Sequence, residues 1–109
     1  MNRKSYPLTS PMIYFTQLIY IVNGQEETFH EFERMAIPII GKYNGQLLLR
    51  VRPDANAFIE GTMENPYEIH LASFPSEADW EGFKNDGERK SFLHLKEKSV
   101  KAILLVKGA

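Results

Sequence analysis

The sequence contains no cysteine. That excludes disulfides, thiolate zinc centres and a cysteine nucleophile, and it fits a reducing cytosol. It has no excess of charge either. Thirteen basic residues face 14 acidic ones, for a net charge of −1, so there is no electrostatic footprint of a nucleic-acid binder or of a protein held on anionic lipid. No apolar run is long enough to span a membrane. The first twelve residues mix Asn2, Arg3, Lys4 and Ser5 with Pro7 and Pro11, which does not match the apolar stretch of a signal peptide. Residues 1–12 are expected to be a flexible N-terminal arm and residues 13–109 a single domain, with the cytoplasm as compartment. There is no G-x-S-x-G, no phosphate-binding glycine loop and no dinucleotide fingerprint. His30 and His94 fall on helices with no ligand partner at i+4, so neither a metal site nor a cofactor is expected.

What is present suffices for a core. Of 109 residues, 43% are hydrophobic and 12% aromatic, in a length typical of one domain. Residues 14–22 (YFTQLIYIV) are aromatic and β-branched and predict a strand. Asn23-Gly24 ends it, with Asn23 placed to cap the next element. From Gln25 to Tyr43, Phe29, Phe32, Ala36, Ile39, Ile40 and Tyr43 recur at helical spacing. Pro38 should kink this helix rather than end it, and Asn44-Gly45 supplies the stop.

Residues 46–52 (QLLLRVR) predict a second strand. Residues 53–66 form a long loop, expected to be mobile and to border a cavity. Residues 67–74 predict a third strand. Ser76 with Asp79 resembles a capping box opening a helix that buries Trp80 and Phe83. Asn85-Asp86-Gly87 interrupts it, and residues 88–98 resume it with Phe92 and Leu95 inward. The group Glu88-Arg89-Lys90 looks like a solvated helix face. Residues 100–106 (VKAILLV) close as a fourth strand.

The order β-α-β-β-α-β predicts an α+β, ferredoxin-like sandwich: a four-stranded antiparallel sheet with helices on one face. The other face carries the functional question. In the first strand, Phe15, Ile19 and Ile21 hold one parity and Leu18, Tyr20 and Val22 the other. In the fourth, Ile103 and Leu105 oppose Leu104 and Val106. A sheet with one wet face alternates apolar and polar residues, whereas these strands are apolar on both sides. A second copy of the chain is the simplest cover, so a homodimer is expected.

Tyr43-Asn44-Gly45-Gln46-Leu47-Leu48-Leu49-Arg50 resembles the Tyr-Gly-Gly-x-Leu-Leu-x-Arg run of a bacterial domain-of-unknown-function family of dimeric α+β barrels. Ile59-Glu60-Gly61 resembles its Glu-Gly step before the third strand. Phe74-Pro75-Ser76 is similar to its Phe-Pro-Ser junction, and Val106-Lys107-Gly108 to its C-terminal end. The resemblance spans residues 14–108. It implies a dimeric α+β barrel in which two sheets pack face to face, with a small cavity in each subunit. Proteins of this architecture include cofactor-free monooxygenases, lactone isomerases and haem-degrading enzymes, and fold does not choose among them. The family often places a glutamate just before Phe-Pro-Ser, where this chain has Ser73.

Four residues stand out as candidate ligand contacts. Leu47, Leu49 and Val51 are expected to face the helices, which would turn Gln46, Leu48, Arg50 and Arg52 toward the barrel. There Arg50 could grip a carboxylate or phenolate in bidentate fashion, or form an interface salt bridge, while Arg52 is expected to be solvated. His70 lies mid-strand between Ile69 and Leu71. It suits proton transfer, or equally a hydrogen-bonded structural role, and alternation alone permits either face. Gln17 interrupts an apolar strand and could contact a ligand or pair across the dimer. Glu60 could reach over a cavity mouth, or be fixed by the turn before Gly61. Three functions fit: a cofactor-independent oxygenase or isomerase acting on a small acidic or aromatic molecule, a non-catalytic module binding such a molecule, and a purely structural homodimer.

Overall fold

The structure, a computed structural model, describes residues 12–108. The expected arm therefore lies, apart from Met12, outside the described residues. Four strands, β1 (Ile13–Ile21), β2 (Gln46–Val51), β3 (Glu68–Phe74) and β4 (Val100–Gly108), form one sheet in the order β2-β3-β1-β4. Every neighbouring pair is antiparallel. Helices α1 (Glu26–Ala36), α2 (Glu77–Lys84), α3 (Gly87–Lys90) and α4 (Leu93–Ser99) supply the second layer. This is the ferredoxin-like α+β fold that the element order predicts.

Local chemistry sets most boundaries. After Ala36 the α1 helix tightens into a 3-10 stretch, Ile37–Tyr43, with Pro38 near its start. The missing proline N–H thus changes the helix type while the apolar stripe continues. Asn44 adopts a left-handed φ of 62° to end it. Gly45 comes next because a Cβ there would stand 2.5 Å from the Phe74 ring. Ser76 caps α2 as anticipated, accepting from the Asp79 backbone N–H and donating to its carboxylate. Asn23 does not cap α1. That role falls to Gln25, without a side-chain cap bond.

The core lies between sheet and helices. Phe15, Phe74, Trp80 and Phe83 form one cluster with Ile39 and Ile40, and Ile19, Phe29, Phe32 and Ala36 form a second. Phe15 stacks on Trp80 with ring centroids 4.0 Å apart. The opposite face of the sheet is apolar, and no described element covers it. Leu48, Leu49, Val51, Leu104 and Val106 are each between 38% and 50% exposed, well above what a covered face leaves open. Among the described residues no helix is long and apolar enough to cross a membrane.

Strand β2 departs from simple alternation. Leu47 pairs with Ala72 and Leu49 with Leu71, so Leu48 is an extra residue in the ladder. Such a bulge swaps the faces of all side chains beyond it. Leu47 packs against the core, but Leu49 and Val51 share the open face with Leu71 and Ile69. Arg50, opposite His70, turns under the helices. The expected placement of Leu49, Val51 and Arg50 is thereby reversed.

Candidate functional site

The bulge assembles a buried ionic cluster beneath α1. Glu33 of α1 is 3% exposed and Glu68 of β3 is 1% exposed, so each needs strong partners. Arg50 provides them by donating through Nη2 to Glu33 at 2.7 Å and through Nε to Glu68 at 3.3 Å. Arg52 also donates to Glu68, from Nε at 3.1 Å and from Nη2. Its guanidinium lies 4.9 Å above the Tyr67 ring, and the Tyr67 hydroxyl is hydrogen-bonded to His30 at 2.6 Å. Arg52 is thus paired where solvation was expected.

His70 completes the cluster. Its Nε2 bonds Glu68 at 2.8 Å and lies 3.1 Å from Glu33 Oε2, close enough for an ion pair though not aligned as a hydrogen bond. Burial works to lower the His70 pKa, but the two carboxylates outweigh it and raise the value above the ordinary imidazole range. Burial likewise works to raise Glu68, yet hydrogen bonds from His70 and Arg52 and the Arg50 charge hold it well below the usual carboxylate range. His30, Glu33 and Glu68 bring ligand-capable atoms within 4.8 Å of one another, a grouping that a search at i+4 misses. The same carboxylates already accept from Arg50, Arg52 and His70, so the cluster reads as an ion-pair network.

A cavity of about 80 Å³ adjoins this cluster, between sheet and helices. Gln17 and His70, which face each other across β1 and β3, line it with Glu33. Its apolar wall includes Phe15, Trp80 and Phe83. The structure therefore brings Gln17 and His70 together on the helix side, with Arg50 one pairing away from them. Glu60 does not join them. It is exposed in the loop of residues 53–66, and no residue of that loop lines this cavity, contrary to the expected border.

Two further lining residues, Arg89 of α3 and Lys96 of α4, lie outside the sequence expectation, Arg89 having been placed on a solvated face. Arg89 Nη1 donates to the Lys84 carbonyl at 3.2 Å, and the guanidinium sits 4.8 Å from the Phe83 ring centre. Its Nε is buried with no acceptor among the described residues. Neither Arg89 nor Lys96 takes part in an ion pair among the described residues. Burial lowers the pKa of both and Arg89 lowers Lys96 further by repulsion, opposed in part by the attraction of Asp86 for Arg89 and of Glu97 for Lys96. The nearby carboxylate, Asp86, is already committed to Lys42 at 2.8 Å, the Tyr43 hydroxyl at 2.6 Å and the Arg89 backbone N–H at 2.8 Å.

No protein-family model matches the chain, and no curated protein does. Solved structures do. A protein of unknown function from Rhodopseudomonas palustris aligns at TM-score 0.77 with 14% identity, covering 91% of this chain and 82% of its own. A dimeric ferredoxin-like protein of unknown function from Jannaschia sp. CCS1 gives TM-score 0.68 and 15% identity, covering 91% and 99%. A NIPSNAP family protein of unknown function from Agrobacterium tumefaciens gives 0.67 and 17%, covering 92% and 88%. At these identities the likeness shows the ferredoxin-like fold. None of the three is described with an activity.

Proposed function

We propose that the chain is a homodimeric α+β-barrel protein, of the bacterial domain-of-unknown-function family it resembles, that binds a small molecule in the sheet–helix cavity of each protomer in the cytoplasm. One observation carries the binding reading: an aromatic-walled cavity into which Gln17, His70, Arg89 and Lys96 project. Mostly apolar concavities with a few convergent polar groups are the usual form of ligand sites. At about 80 Å³ it suits a molecule of few heavy atoms. Arg50 serves this site indirectly, by compensating Glu33 and holding the cluster beside the cavity. The homodimer is supported by the uncovered apolar face and by similar structures described as dimeric. The absence of cysteine fits the compartment.

A second reading, a cofactor-independent oxygenase or isomerase, rests on His70 alone. With its pKa raised by two carboxylates, it is better suited there to donate a hydrogen bond or a proton than to act as a base.

Sedimentation tests the dimer: the wild type should run at twice the 12.6 kDa chain mass, and Leu104→Glu should run as a monomer because it places an unpaired charge in the buried face. A monomeric wild type would sink the barrel. Trp80, the sole tryptophan, lines the cavity and reports on occupancy. If no small molecule alters its fluorescence, the binding reading fails.

A further inference from the structure

The cavity wall carries positive charge that no ion pair matches among the described residues. Glu33 also lines the cavity, but Arg50 and His70 take up its charge. Arg89 and Lys96 form no ion pair among the described residues, and Asp86 and Glu97 attract them only at longer range. Partial burial of a cation without a paired carboxylate is unfavourable, and Arg89 and Lys96 also repel each other. The arrangement is relieved by an anion arriving from outside. The Lys84 carbonyl occupies Arg89 Nη1, which leaves Nε and the adjacent Nη2. That edge of a guanidinium presents two parallel donors, the fork that a planar carboxylate accepts in bidentate fashion. Phe83, beneath the guanidinium, restricts its rotation. A bulky dianion is disfavoured by the small volume and the aromatic walls.

We propose that the cavity is a site for a small carboxylic acid in its ionised form, the carboxylate held by Arg89 with Lys96 beside it and the apolar body against Phe15 and Trp80. This rests on the reading of the cavity as a ligand site. Arg89 Nε, buried and without an acceptor, is the observation that points to the ligand's charge.

Isobutyrate and its neutral isostere isobutyramide serve as probes, titrated into the purified full-length protein while Trp80 fluorescence and calorimetric heat are followed. In the wild type the carboxylate should bind at least tenfold more tightly than the amide. Arg89→Met and Lys96→Met should each remove most of that preference, since a charge-assisted contact contributes roughly ten- to a hundredfold in affinity. Amide-proton spectra of the variants verify their fold. Should one variant fail to fold, the other variant and the wild-type acid-to-amide ratio decide. Equal binding of acid and amide would overturn the proposal while leaving the cavity a ligand site. No response to either probe would overturn the proposal too, while the binding reading stands or falls on the wider search for a molecule that alters Trp80 fluorescence. A preference that survives both substitutions would place the carboxylate elsewhere and overturn it too.

Discussion

Two groups of charges lie between the sheet and the helices, and they are built on opposite terms. In the first, two buried carboxylates, Glu33 and Glu68, are met by Arg50, Arg52 and His70 through bonds of 2.7–3.3 Å. In the second, Arg89 and Lys96 line a cavity without forming an ion pair among the described residues, the Glu33 that also lines it being taken up by Arg50 and His70. A buried network in which each carboxylate is met by cations locks the elements that contribute to it, here α1, β2 and β3. The second pair locks no carboxylate, Arg89 being held only by the Lys84 carbonyl and the Phe83 ring. Charge compensation therefore separates the two: one group reads as structure, the other as recognition.

The contrast breaks most visibly if Glu68 is removed. Glu68→Ala leaves Arg52 without its carboxylate and Arg50 and His70 with Glu33 alone, and the loss of one partner of a buried pair costs about 3–5 kcal/mol. Arg50 and Arg52 are 41% and 47% exposed, so water screens them and the expected loss is about 2–4 kcal/mol. Urea denaturation measures it. A loss under about 1 kcal/mol would place the cluster among ordinary surface pairs.

Smaller, and specific in sign, is the pH dependence. The folded His70 pKa lies above its unfolded value, so its contribution is complete below about pH 6.5 and fades as pH rises through the folded value. Glu68 is depressed in the folded state, so its contribution is present above about pH 4.3 and fades as pH falls. The urea midpoint should therefore be highest between these limits and decline on both sides. His70→Gln should flatten the alkaline decline and only lessen the acid one, because Arg50 and Arg52 still hold Glu68 down. An unchanged alkaline slope would show that His70 does not carry it.

The smallest effect is expected from Arg89→Met without ligand. It forfeits the contacts to Lys84 and Phe83 but sheds a desolvated, unpaired charge. These changes oppose each other, and the net should stay within about 1 kcal/mol. A loss as large as that of Glu68→Ala would make Arg89 structural and erase the distinction between the groups.

Much of the fold was legible in the residues. The YFTQLIYIV and VKAILLV runs read as strands because their aromatic and branched side chains suit a pleat. Phe29, Phe32 and Ala36 read as a helix because their spacing matches its turn. Ser76 and Asp79 announced the start of α2 because capping is settled by neighbours in the chain. The doubly apolar β1 and β4 foretold a sheet with a bare face. These are local signals, and local physics decides them.

The site was not legible in the same way. Leu47, Leu48 and Leu49 are identical in kind, so nothing in their order shows that Leu48 is the extra residue of a bulge. That one position decides whether Arg50 meets a barrel or Glu33. Glu33 and Glu68 look like solvated charges until α1 is laid across β3, and Arg89 looks like part of a charged helix face until the break at Asp86 turns it toward the cavity. The amino-acid order by itself determined the elements, their succession and the fold class, because each depends on residues a few positions apart. Only the tertiary structure decided which charges are buried, which are paired and which are left open to a ligand. Those depend on distances between residues remote in sequence, set by strand register and helix packing.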